Sequence, residues 1–100
     1  MVVVDHQPHE WFLLQDRQGF VLDVNCGWSA VGFSVVLRLT DEEAGLMKTQ
    51  GREAAAGLAR SVQHSPSAFA HRSGGPSLER ATYAAIVRWR ASQPATERAP

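Results

Sequence analysis

Phe20-Val21-Leu22-Asp23-Val24-Asn25-Cys26 is the stretch that decides how this chain folds. Phe20, Leu22, Val24 and Cys26 alternate with Val21, Asp23 and Asn25, the two-residue period of a strand with one apolar face. Upstream, Asp16-Arg17-Gln18-Gly19 has turn chemistry, with Gly19 able to adopt a positive φ. Trp11-Phe12-Leu13-Leu14, rich in aromatic and aliphatic residues, reads as the strand before that turn. Downstream, Gly27-Trp28-Ser29-Ala30 is the next turn, and Gly32 to Leu39 form a third strand. Phe33, Val35, Leu37 and Leu39 take its core face, while Ser34, Val36 and Arg38 take the opposite one. Parallel pairing needs a crossover of about a dozen residues, so these short connections imply an antiparallel meander. Three strands with one apolar face need a cover.

Helices supply that cover. Thr40-Asp41-Glu42-Glu43 has the spacing of a capping box, and its acidic residues suit the positive end of a helix dipole. Met47, Gly51, Ala54, Ala55, Leu58 and Val62 then recur at helical spacing, predicting a helix over 41–63 that ends at His64-Ser65-Pro66. Gly45, Gly51 and Gly57 lie within it, so the helix either packs closely on the sheet or bends. Residues 65–76 read as a Ser-, Gly- and Pro-containing loop, with Phe69 pinned to the core. A second helix is expected over 77–91, burying Leu78, Ala81, Thr82, Ala85, Ile86 and Trp89. The expected fold is α+β, β-β-β-α-α: a three-stranded antiparallel meander packed against two C-terminal helices. One domain would occupy residues 11–92, between a flexible tail over 1–10 and a disordered tail over 93–100.

Composition narrows the classes of function. The chain has 100 residues, 44% hydrophobic and 20% charged, which suits one cored domain rather than a disordered segment. No apolar run approaches the ~20 residues of a membrane helix, and Met1 to His6 lack the basic and apolar regions of a secretory signal. Cys26 is the sole cysteine, which excludes an intramolecular disulfide and fits a reducing cytoplasm. Ten basic and ten acidic residues balance, against the basic excess of a dedicated nucleic-acid binder. Their distribution is uneven: seven of the acidic residues fall in 1–50 and seven of the basic ones in 51–100. Such a dipole can steer a charged partner or hold the two halves together.

Candidate chemistry is sparse. Cys26 is a possible nucleophile with His6, His9, His64 or His71 as base, but it alternates with core residues, where cysteine behaves as a small hydrophobe. His6, His9 and Glu10 have a faint metal-ligand spacing interrupted by Pro8, and no metal or cofactor is assigned. Glu42 and Glu43 sit where capping accounts for them. Arg80, Arg88 and Arg90, with Tyr83 and Trp89, have the composition of a phosphate- and base-contacting helix, though a solvated face explains the arginines as well. No phosphate loop, nucleophile elbow or dinucleotide fingerprint occurs.

Leu22-Asp23-Val24-Asn25-Cys26, Ser29, Val31-Gly32-Phe33-Ser34 and the acidic helix start give residues 11–66 a texture of their own. It resembles small uncharacterised bacterial single-domain proteins of the toxin-immunity type. The resemblance implies a protein that binds and neutralises a cognate toxin, and it carries over no functional residue. The expected function is therefore a non-enzymatic, cytoplasmic protein-binding module of the immunity-inhibitor kind. A small enzyme using Cys26 is the alternative, and a nucleic-acid-binding regulator using the Arg-rich helix a weaker one. The expected docking surface is the polar sheet face left uncovered by the helices: Asp23, Asn25, Ser34 and Arg38, with Trp28 at its rim.

Overall fold

Strand β3 (Gly19–Asn25) lies inside the sheet, flanked on one side by β2 (Trp11–Asp16) and on the other by β4 (Ser34–Arg38). The computed structural model describes residues 1–26 and 34–93. Among them the chain adds an edge strand, β1 (Val2–Gln7), and four helices: α1 (Asp41–Gln50), α2 (Arg52–His64), α3 (Pro66–Ala70) and α4 (Gly75–Ser92). The sheet order is β1-β2-β3-β4, with every neighbouring pair antiparallel. The α+β class and the meander over 11–39 agree with the sequence pattern.

Alternation sorts the sheet into two faces. Trp11, Leu13, Phe20, Leu22, Val24, Val35 and Leu37 form one face, closed by Met47 of α1 and by Ala55, Ala59 and Val62 of α2. The small alanines let α2 approach the sheet closely, and Phe69 of α3 packs against the same cluster. Leu14, Val21 and Val36 form the other face, closed by Ala85 and Ile86 of α4 with help from Phe12 and Leu78. The linker between α3 and α4 passes around the outer edge of β4, where Ser73 bridges Leu37 and the Gly74 amide donates to the Val36 carbonyl at 3.2 Å. That wrap carries the chain from one face of the sheet to the other.

Four expectations need correction. The sheet has four strands, because Val2–Gln7 is a strand rather than a loose tail. It pairs along β2 through a bulge between Val3 and Asp5, and Arg52 ties it down through Asp5, Gln7 and the His6 carbonyl. The long helix is two, broken at Gly51, whose φ of 59° and ψ of −129° are readily available only to glycine. Residues 66–70 form a short helix inside the expected loop. Above all, α4 covers the sheet face that was expected to be open. Leu14, Val21 and Val36 made that face too apolar for solvent. The expected tail beyond Gln93 and the turn at 27–30 lie outside the described residues.

The capping box is formed as expected. The Glu43 amide donates to Thr40 Oγ1 at 3.2 Å and the Thr40 amide to Glu43 Oε1 at 2.9 Å. Arg72 adds a bidentate pair to the same carboxylate, at 2.6 and 3.1 Å. Burial alone would raise the Glu43 pKa, but the bonds from Arg72 and Thr40 outweigh it and hold the carboxyl below its usual range. Glu43 is thus a structural clamp joining α1 to the wrap around β4.

Candidate functional site

Asp23 points from the middle of β3 toward α4, opposite Val36 of β4 and Phe12 of β2. Only 7% of it is exposed. The Ser34 hydroxyl hydrogen-bonds its carboxyl, while Asp23 Oδ1 has no hydrogen-bond partner among the described residues. Burial pushes its pKa up to about 6; the Ser34 bond and the positive charge of Arg90 oppose that rise, and Glu79 adds to it. A carboxylate held this way carries an unmet demand for a donor or a positive charge.

Asp23 lines a cavity of about 250 Å³ at the Asn25 end of the sheet. The β1–β2 turn supplies His9 and Glu10, the sheet supplies Phe12, Asn25 and Ser34, and α4 supplies Tyr83, Ile86 and Arg90. His9 sits in the left-handed region at φ 67°, a conformation histidine tolerates better than most residues. Asn25 holds that turn: its Nδ2 donates to the His9 carbonyl at 2.9 Å and its amide to the Glu10 carbonyl at 2.8 Å. Tyr83, Ile86 and Arg90 follow helical spacing down the side of α4. Arg90 also lies over the Phe12 ring, 5.5 Å from its centroid.

Three of the five expected docking residues, Asp23, Asn25 and Ser34, therefore come together, in a cavity rather than on an open face. Arg38 does not join them. It forms a two-pronged pair with Asp16 at 3.0 and 2.8 Å, toward the other end of the sheet, and does not pair with Asp23. Hydrogen bonding to Arg38 lowers the Asp16 pKa despite partial burial. Trp28 lies outside the described residues. Sequence reasoning missed His9, Glu10, Tyr83, Ile86 and Arg90 as neighbours of Asp23. The available signal was the i, i+3, i+7 spacing on α4, together with Leu14, Val21 and Val36 on the supposedly wet face.

The other candidate chemistries find less support. Cys26 is 1% exposed, its thiol donates to the Val24 carbonyl at 3.7 Å, and burial raises its pKa, so the nucleophilic thiolate is disfavoured. His6 stacks on Phe12 and meets the edge of Trp89. Among the described residues, no group of three His, Cys, Asp or Glu side chains is placed to hold a metal ion. The arginines of α4 are engaged locally: Arg80 with Ser77, Arg88 with the Met1 carbonyl and Arg90 with Phe12. None of the described helices is long and apolar enough to cross a membrane. No family model, curated protein or solved structure matches the chain.

Proposed function

We propose that the chain is a non-enzymatic protein-binding module, with the Asp23 cavity at the centre of its contact surface. The observation that carries this reading is the buried Asp23 carboxyl, one oxygen unpaired, in a cavity that opens beside the exposed Asn25, Ser34 and Tyr83. Folding alone gives no reason to bury such a group, since an apolar residue would close the α4 interface better. A partner that brings positive charge to the cavity beside it makes the group useful. Binding hot spots commonly lie in such desolvated pockets, rimmed by aromatic side chains.

The concrete form of this function is an immunity-type inhibitor, a cytoplasmic protein that neutralises a toxin encoded beside it. A small catalyst using Cys26 is less consistent with a thiol sealed against the sheet. The test is to express the product of each flanking gene with and without this chain. The reading expects one product to arrest growth, this chain to relieve the arrest, and the two to co-purify as a stable complex. Ser34→Ala and Tyr83→Ala should each weaken that complex by about tenfold or more, while Arg38→Ala leaves it unchanged. Two harmless flanking products that do not bind would remove the immunity reading. A complex indifferent to Ser34 and Tyr83 would move the contact surface elsewhere.

A further inference from the structure

The geometry points to the Asp23 cavity as the seat of an arginine side chain presented by the partner protein, an inference that rests on the protein-binding reading above. Charge indicates a cation. Among the described residues, two carboxylates, Asp23 and Glu10, line the cavity against the one guanidinium of Arg90, and Glu79 adds further negative charge from α4. Coordination speaks against a metal ion, because among the described residues no three His, Cys, Asp or Glu side chains are placed to hold one. Size limits the occupant. At about 250 Å³ the space falls below the ~300 Å³ at which pockets begin to hold drug-sized ligands, and it suits one inserted side chain.

The walls favour guanidinium over ammonium. Exposed Tyr83 offers aromatic surface, on which a flat, weakly hydrated guanidinium stacks while its edge donates to carboxylates, Phe12 being already covered by His6 and Arg90. Arg90 shows the aromatic half of that arrangement, its guanidinium lying over the Phe12 ring. An ammonium ion would surrender more hydration to enter the same partly apolar space. Asp23 Oδ1 is unpartnered and itself closed off from solvent, so the carboxylate's charge is left undersatisfied and is offset by a guanidinium seated in the adjoining cavity, the other bond to this carboxyl coming from Ser34.

This seat is sensitive to pH. Asp23 attracts a cation only when ionised, and it is mostly protonated at about pH 5. The groups facing it are His9 and Glu10 from the β1–β2 turn, Asn25 and Ser34 from the sheet, and Glu79, Tyr83 and Arg90 from α4. His9 is the imidazole in this set, and replacing it with Asn leaves Asp23 to account for the dependence.

The experiment is an NMR titration of the intact chain with N-acetyl-L-arginine methylamide at about pH 7.5 and about pH 5. Saturable shifts at Asn25, Ser34 and Tyr83 are expected, with a dissociation constant on the order of millimolar for so small a probe. Binding should weaken about tenfold at the lower pH, and His9→Asn should keep that dependence. The neutral citrulline analogue, and Asp23→Asn with the arginine probe, should each bind about tenfold more weakly or not at all. Equal binding of arginine and citrulline probes, or no shift with either, would overturn the proposal. So would agmatine binding about tenfold more tightly than the peptide-like probe, because the occupant would then be a free small cation. Partner binding that survives Asp23→Asn while the probe fails removes this inference alone. Probe binding without any partner removes the protein-binding reading and leaves a guanidinium site.

Discussion

The two faces of the sheet are closed in different ways. The face under α1, α2 and α3 is dry and continuous, from Trp11 and Phe20 across Leu22 to Leu37 and Val62. The face under α4 is apolar only at its centre, around Leu14, Val21, Val36, Ala85 and Ile86. Toward Asn25 it gives way to a buried aspartate and a cavity; toward Gly19 it gives way to the Arg38–Asp16 pair. The first face buries apolar groups throughout, whereas the second holds a carboxyl whose burial works against stability.

Cutting into the dry face should have the largest effect. Leu22 is fully buried at the centre of the larger cluster, and Leu22→Ala should lower unfolding free energy by about 3–4 kcal/mol in urea titrations. A loss under about 1 kcal/mol would mean that this face does not dominate stability.

On the α4 face, the sign should reverse at Asp23. Its folded pKa lies near 6, above the usual unfolded value, so the protonated form is the one folding favours. Stability therefore falls as pH rises through the interval from about 4 to about 6 and stays lower above it. Asp23→Asn removes that dependence. The variant should be about 2 kcal/mol more stable than the parent near neutral pH, with the advantage disappearing below about pH 4. Denaturant unfolding at several pH values checks both statements; a variant less stable at neutral pH would show that the carboxylate is not a burden there.

The two arginine clamps should matter less. Arg72 holds Glu43 with two bonds, touches the Arg38 carbonyl and lies over the Phe69 ring. Arg72→Ala should cost about 1–2 kcal/mol and loosen the linker around β4, read as faster amide exchange at Leu37 and Gly74. Arg38→Ala, breaking a more exposed pair, should cost at most about 1 kcal/mol. Its pH dependence runs opposite to that of Asp23. Asp16 has a depressed folded pKa, so its pairing stabilises above the unfolded carboxylate value and is lost as pH falls through the folded one. The difference between parent and Arg38→Ala should accordingly vanish in acid, which thermal unfolding would detect.

By itself, the amino-acid sequence determined everything that depends on local period and local chemistry. The alternation from Phe20 to Cys26 set β3 and its two faces, Asp16 to Gly19 set the turn before it, and Thr40 with Glu43 set the start of α1. These are short-range properties, legible because neighbours in sequence enforce them. The fate of the second face was different. Whether Asp23, Asn25 and Ser34 meet water, a partner or a helix depends on where the chain goes after Ala70, and that depends on the wrap around β4 and the packing of α4. The same holds for Val2–Gln7, whose strand exists because β2 and Arg52 are there to receive it. Tertiary structure alone brought Glu10, Asp23 and Arg90, distant in sequence, to one cavity, because a buried charge acquires its properties from the groups that surround it in space.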